Sequence, residues 1–179
     1  MARAQKAAGS YEEAKGLAYE VLHSKDGEKN VEAYDLIAQC LEAQGDMEGA
    51  LWTLRDSASV MPSARRQRLV GECAYRNGDL DTAKECYAKI AKTTKGSITG
   101  QPQDLLMLAQ IKSDTGEHGD ALALLDQAAA QNRHDPQFQN TALALKSQAF
   151  ARVGDKAQAE ATLTRARQAL RRPKADFST

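Results

Sequence analysis

The chain has 179 residues, and its 24 lysines and arginines are balanced by 24 aspartates and glutamates, so its formal net charge is zero. A chain with this balance has no overall attraction to nucleic acid or to an anionic membrane surface. Four prolines and 5% aromatic residues are typical of a helix-rich protein. No apolar run approaches the roughly 20 residues that cross a bilayer. The N-terminus also lacks the apolar centre of a signal peptide, which favours a cytoplasmic protein without a membrane partner.

A short phrase in which glycine is followed five residues later by alanine occurs five times along the chain. The glycines are Gly9, Gly45, Gly78, Gly116 and Gly154. Their intervals of 36, 33, 38 and 38 residues are typical of a helical solenoid built from helix pairs. Each glycine is expected to end the first helix of a pair in the left-handed conformation.

The residue after the glycine is expected to cap the second helix of the pair. These caps are Ser10, Asp46, Asp79 and Asp155. Ser10 with Glu13 has the sequence of a capping box, in which each residue bonds the backbone of the other. Repeat four has Glu117 at this position, which predicts a weaker cap.

The same register predicts where helices cross. Seven residues before the glycines lie the small residues Ala2, Ala38, Gly71, Ala109 and Ser147. Five residues after them lie Ala14, Ala50, Ala83, Ala121 and Ala159. Nine residues after them lie Ala18, Leu54, Tyr87, Leu125 and Leu163. Helices approach closely only where side chains are small, so we expect the first two sets at the crossings and the third beside them.

Helices are therefore predicted, in chain order, at 2–8 and 11–24, 30–44 and 47–60, 64–77 and 80–94, 103–115 and 118–131, and 138–153 and 156–172. Linkers at 23–30, 93–102 and 133–137 absorb the variable spacing. The predicted organisation is a single array over 1–173, with a partial repeat at 1–29, repeats near 30–62, 63–97, 101–134 and 138–173, and a frayed tail at 174–179. The partial first repeat fits a piece of a longer chain, and a native start at Met1 is the alternative.

This register resembles that of the tetratricopeptide repeat (TPR) family. Tyr34, Leu105 and Leu143 early in their first helices, and Pro62 after the second pair, add to the resemblance. Gln67 departs from it, because a large residue is usual at that place. The resemblance implies an all-α solenoid coiled as a right-handed superhelix. It also implies a non-enzymatic protein that binds a protein or peptide partner in a concave groove lined by the first helices.

A narrower resemblance concerns repeat three and the loop after it. The segments SARRQRLVGECAYRNGDLDTAKECYAKI and GSITGQPQDLLMLAQ look like the TPR half of bacterial response regulators that join a receiver domain to a TPR array. The chain itself lacks the strand–helix alternation and acidic pocket of a receiver. This resemblance implies an output or adaptor region of a two-component regulator. The alternative is a TPR accessory subunit of an envelope, pilus or secretion assembly.

The family's register places a set of mostly polar residues in the groove. These are Asp35, Gln39, Glu42, Arg65, Arg68, Glu72, Tyr75, Arg76, Gln110, Gln148 and Arg152, with Gln103, Leu106, Asp114 and Thr141 at further groove positions. Helical spacing independently puts the five residues of repeat three on one face, where only Glu72 offsets three arginines. We expect this face to accept an extended or helical segment with an acidic middle. The alternative is a solvated face with internal pairs such as Arg68–Glu72.

Trp52, the single tryptophan, lies two residues after the packing residue Ala50 and should point partly away from the core of its repeat. Packing against a neighbouring helix and contact with a partner on the convex side are both open. The basic residues Arg165, Arg167, Arg171, Arg172 and Lys174 suit the negative end of the last helix, so no nucleic acid is expected. Because no extra polar helix follows, the last repeat is a possible homodimer contact.

No residues carry the pattern of a catalytic, cofactor or metal site. The three histidines are in or beside predicted turns at unrelated positions, and no nucleotide-binding or nucleophile motif is present. The three cysteines, Cys40, Cys73 and Cys86, form no CxxC pair and are expected to pack in the helical core. We therefore expect no enzymatic activity, cofactor or metal.

Overall fold

The computed structural model describes residues 10–24, 27–91, 93–94, 97–98 and 100–171. Within these residues the α-helices are α1 (Tyr11–Leu22), α2 (Val31–Ala43), α3 (Met47–Val60), α4 (Ala64–Arg76), α5 (Leu80–Ile90), α6 (Pro102–Asp114), α7 (His118–Gln131), α8 (Pro136–Val153) and α9 (Lys156–Arg171). A 3-10 turn (Gly27–Lys29) precedes α2. The helix predicted at 2–8, with Gly9, and the tail predicted at 174–179 lie outside the described residues.

Helix ends agree with the sequence prediction to within two residues, except at the end of α5. That helix ends at Ile90, four residues before its predicted end. Two short strands follow, β1 (Thr93–Thr94) and β2 (Ser97–Ile98), and they pair antiparallel with Thr93 opposite Ile98. Threonine and isoleucine are β-branched, which lowers their helix propensity and favours extended backbone. The prediction that α5 continues to residue 94 is therefore wrong.

The turn of each described pair is made by the repeat glycine. Gly45, Gly78, Gly116 and Gly154 have φ angles of 84°, 80°, 86° and 87°. A side chain at these angles would clash with the backbone, whereas glycine has no Cβ to clash. The role that the sequence predicts for these glycines is confirmed.

The caps after the glycines are formed at the aspartates but not at the serine. Asp46, Asp79 and Asp155 each accept a hydrogen bond from the backbone N–H three residues ahead, at 2.8, 3.1 and 3.0 Å. Ser10 makes no side-chain cap hydrogen bond, so the predicted capping box is not formed. Ser10 is exposed, and water can serve the first N–H groups of α1 instead. Glu117 also makes no capping bond, as its longer side chain predicts.

Small residues occupy the crossings that the register predicts. The described small residues before the turn are buried, and these are Ala38, Gly71, Ala109 and Ser147. The alanines after the turn are also buried, and these are Ala14, Ala50, Ala83, Ala121 and Ala159. Of the larger residues beside the crossings, Leu163 departs from the prediction because its side chain is exposed. It lies on α9, which packs chiefly on α8.

The helix crossing in repeat three is formed by a different pair of residues. In repeat two the register places Ala38 and Leu54 at these positions, and both are buried. Repeat three instead combines Gly71 with Tyr87, whose side chain is almost fully buried. A Cβ on Gly71 would lie 2.8 Å from Cε2 of Tyr87, closer than carbon atoms approach. The missing side chain of Gly71 is therefore the space that the tyrosine ring occupies.

The helices form two compact units, divided between Ile90 and Ala91, directly after the last residue of α5. In the first unit α1 packs on α2, α2 on α3, α3 on α4 and α4 on α5. In the second unit α6 packs on α7, α7 on α8 and α8 on α9. The assignment of residues 1–173 to a single array stays a prediction.

The cysteines are core residues of the first unit. Cys40, Cys73 and Cys86 are buried thiols, as the sequence predicts. Burial raises the pKa of the Cys73 thiol to about 11, because the charged thiolate is disfavoured away from water. These thiols therefore act as small apolar groups.

Candidate protein-binding face

Five of the eight predicted groove residues of repeats two and three line one open pocket in the first unit. The pocket has a volume of about 140 Å³ and is lined by Asp35, Ala38, Gln39, Glu42, Leu54, Arg65, Leu69 and Arg76. Asp35, Gln39 and Glu42 form a stripe on α2, and Arg65, Leu69 and Arg76 form a matching stripe on α4, because steps of three, four and seven return to one side of a helix. We call these two stripes the α2–α4 face.

An ion-pair cluster joins the two helices at one end of this face. Asp35 pairs with Arg65 at 3.8 Å and also accepts a short hydrogen bond from Nη1 of Arg66. Arg66 is only 4% exposed. A buried guanidinium requires a charged or hydrogen-bonded partner, and Asp35 provides it. The sequence prediction missed Arg66, since its position next to Arg65 gave no sign that it turns inward.

A second ion pair joins the helices at the other end. Arg76 grips Glu42 with two hydrogen bonds, Nη2 to Oε1 at 2.7 Å and Nη1 to Oε2 at 3.1 Å. Paired contacts of this kind fix direction as well as distance. Helical spacing within α4 predicts Glu72 as the one acid beside its arginines. The structure shows two further acids beside them, Asp35 and Glu42, and both come from α2. The repeat register did not predict the Arg76–Glu42 pair, because Glu42 lies three residues before Gly45 and Arg76 lies two residues before Gly78.

The two members of each pair differ in their exposure to solvent. The side chains of Arg65 and Arg76 are 74% and 54% exposed, whereas those of Asp35 and Glu42 are 16% and 21% exposed. An approaching molecule therefore meets guanidinium groups, with the carboxylates beneath them. Between the pairs, Ala38, Leu54 and Leu69 supply an apolar floor.

The other predicted residues of repeat three lie along the same helix. Arg68 and Tyr75 are half-buried, and each has at least one interaction within the protein. Glu72 on α4 is exposed, and so is Gln39 on α2. The predicted Arg68–Glu72 pair stays a prediction.

The second unit carries its own version of the charge pairing. Arg152 on α8 donates to Asp114 on α6, and its Nη1 also lies 3.1 Å from Oγ of Ser113. Gln110 donates to the same Asp114 at 3.0 Å, and Gln148 is exposed. Leu106, which the family's register places in the groove, is buried. An arginine near the end of one first helix again pairs with an acid near the end of the preceding first helix.

Trp52 lies on the second helix of repeat two, and its side chain is 59% exposed. On the same helix, Nη2 of Arg55 donates to Oγ1 of Thr82 at 2.6 Å and lies 3.4 Å from Oδ2 of Asp79. Hydrogen bonds from Thr82 lower the pKa of Asp79. Arg55, Thr82 and Lys89 line an open cleft of about 380 Å³ formed by α3, α4 and α5. The exposure of Trp52 agrees with the prediction that it points away from the core of its repeat. A partner contact at Trp52 stays a prediction.

Within the part of the chain that the structure describes, no group of histidine, cysteine, aspartate or glutamate residues could hold a metal ion. None of the described helices combines the length and the apolar character that crossing a membrane requires.

Antiparallel helix pairs with left-handed glycine turns and small residues at the crossings define the fold as a TPR α-solenoid. Solved structures agree. A crystal structure of MamA protein has a TM-score of 0.75 at 16% identity, over 99% of this chain and 93% of that chain. MamA 41-end from Desulfovibrio magneticus RS-1 has a TM-score of 0.71 at 15% identity, over 99% and 93%. YrrB, described as a TPR protein with an unusual peptide-binding site, has a TM-score of 0.72 at 11% identity, over 94% and 82%.

These structures confirm the TPR fold that the sequence predicts, and at such low identity they establish the fold alone. No family model matches the sequence, and no curated protein matches it.

Proposed function

We propose that the chain is a non-enzymatic interaction module whose α2–α4 face binds a segment of a partner protein. The observation that carries this proposal is the convergence of Asp35, Gln39, Glu42, Arg65 and Arg76 on one open pocket. Residues chosen from the register of a peptide-binding fold thus line a concavity with an apolar floor and exposed cationic groups. The fold of YrrB, which carries a peptide-binding site, supports the same conclusion.

Binding on this face requires that its side chains be held in position, and it involves no covalent chemistry. Two hydrogen bonds hold the guanidinium of Arg76 over Glu42, so this side chain loses little freedom when a partner arrives. Arg68 and Tyr75 also lie on α4, and both residue types are favoured at interface hot spots. The protein contributes a preformed surface, and the partner contributes the segment that orders on it.

We propose further that this module is the output or adaptor region of a bacterial two-component regulator in the cytoplasm. The support is the resemblance of repeat three and the loop after it to the TPR half of such regulators. The alternative is an accessory subunit of an envelope, pilus or secretion assembly. The coding sequence upstream of this chain distinguishes them, because a receiver domain there supports the first and a lipoprotein signal supports the second.

The test is affinity capture with the full chain as bait, followed by titration of the captured partner. Arg68→Ala and Tyr75→Ala should each weaken binding by about 1–3 kcal/mol, the range of interface hot spots. Higher salt should slow association, because it screens the charges that steer the encounter. Trp52→Ala is the control on the other helix of the pair and should leave affinity unchanged. Loss of binding in Trp52→Ala, with both α4 variants unaffected, would contradict the proposal.

A further inference from the structure

We infer that the partner segment is extended and carries two carboxylates three to five residues apart, with one apolar side chain between them. This deepens the function proposed above and rests on it. The inference follows from the size of the pocket, from the charges that solvent meets at its two ends and from the distance between those ends.

The pocket admits a single side chain. Its volume of about 140 Å³ is close to that of a cavity that holds one benzene molecule, roughly 150 Å³. Ala38, Leu54 and Leu69 make the floor apolar, so an isobutyl, thioether or phenyl group gains by entering. A helical partner would offer several apolar side chains along one stripe, whereas an extended segment can place one side chain in a pocket and leave its neighbours outside.

The two ends of the pocket favour negative charge. The guanidiniums of Arg65 and Arg76 are the exposed members of their ion pairs, and the carboxylates of Asp35 and Glu42 lie recessed beneath them. The Arg65–Asp35 contact of 3.8 Å is longer than a hydrogen bond, so it is an ion pair that leaves these N–H groups available for a better acceptor. Arg76 uses two contacts on Glu42, and a guanidinium has five N–H donors. A lysine or arginine on the partner would meet like charge first.

The spacing of the arginines sets the spacing of the acids. Arg65 and Arg76 are eleven residues apart on α4, which is about 16 Å along a helix. The acids that they reach on α2, Asp35 and Glu42, are seven residues apart, which is about 10 Å. The guanidiniums therefore lie between about 10 and 16 Å apart, a distance that an extended chain covers in three to five residues.

The experiment selects a displayed library of random 12-residue peptides on the full chain and measures the selected peptides by fluorescence anisotropy. We expect enrichment of peptides with two acids three to five residues apart around one apolar residue. Replacing either acid by lysine, or the apolar residue by serine, should weaken binding about tenfold. Arg65→Ala should weaken it similarly, and Arg165→Ala, which removes an exposed arginine of α9, should leave it unchanged.

A charge exchange separates recognition from effects on folding. Arg65→Glu should bind the wild-type peptide at least tenfold more weakly and should bind better to a peptide in which the facing acid is lysine. Selected peptides that lack the paired acids, yet lose affinity with Arg68→Ala and Tyr75→Ala, would overturn this inference and leave the proposed function standing. Peptides whose affinity is unchanged by every substitution on α4 would overturn both this inference and the proposed function.

Discussion

Two neighbouring arginines on α4 have opposite roles, and the difference comes from one step along a helix. Arg65 is 74% exposed at its side chain, and Arg66 is 5% exposed at its side chain. Successive residues on a helix point about 100° apart, so one can face solvent while the next faces the core. Both pair with Asp35, yet only Arg66 is held in a low-dielectric site where the loss of a partner is costly.

This difference predicts unequal effects on stability. Arg66→Ala should lower the free energy of unfolding by about 3 kcal/mol, because it removes the buried partner of Asp35 and leaves this carboxylate with the longer contact to the exposed Arg65. Arg65→Ala should change it by less than about 1 kcal/mol, as expected for an exposed ion pair. Urea denaturation of both variants measures the two values. Equal losses would contradict the separate roles assigned to the two side chains.

The sequence predicts the structural role of a residue where the same role recurs at the same place in every repeat. It does not predict side-chain contacts between different helices. The glycine turns at Gly45 and Gly78 follow from backbone sterics, and the register repeats that constraint. The charge pairs of Asp35 and Glu42 with α4 arise between helices about thirty residues apart, which helical spacing within one segment does not describe. The predicted capping box at Ser10 failed because side-chain caps compete with water at an exposed helix start.

At the scale of elements, the helix pairs of repeats two and three place a small and a larger buried residue at the crossing that the register predicts. In repeat two these buried residues are Ala38 and Leu54, and in repeat three Gly71 lies against the ring of Tyr87. A ring needs more room than an isobutyl group, and the first helix provides it by lacking a side chain at that place. The register predicts small and large positions, whereas the pairing of glycine with tyrosine depends on contact in three dimensions.

This matching predicts a coupling between the two positions. Gly71→Ala should lower the free energy of unfolding by about 1–3 kcal/mol in the natural chain, because the new Cβ overpacks against the ring of Tyr87. In the background of Tyr87→Leu, which restores the alanine–leucine pairing of repeat two, the same change should cost markedly less. Urea denaturation of the four chains gives the coupling energy. An identical cost in both backgrounds would show that the ring does not set the residue at 71.

At the scale of the whole molecule, two compact helical units carry the same kind of charge pairing. In each unit an arginine near the end of a first helix binds an acid near the end of the preceding first helix, at Arg76 with Glu42 and at Arg152 with Asp114. These pairs make the surface of the first helices more nearly neutral than the sequence of α4 indicates. Selectivity therefore depends on which member of a pair is more exposed, and in both of these pairs this is the arginine.

The central claim, that a partner segment binds the α2–α4 face, is tested most directly by amide chemical shifts. The labelled full chain is titrated with a peptide selected as above, and ¹H–¹⁵N spectra are recorded at each step. The backbone amides of Gln39 and Leu69 should shift, because both residues line the pocket. The single indole N–H resonance, which belongs to Trp52, should stay in place. A shifted indole with unchanged amides at Gln39 and Leu69 would contradict the account.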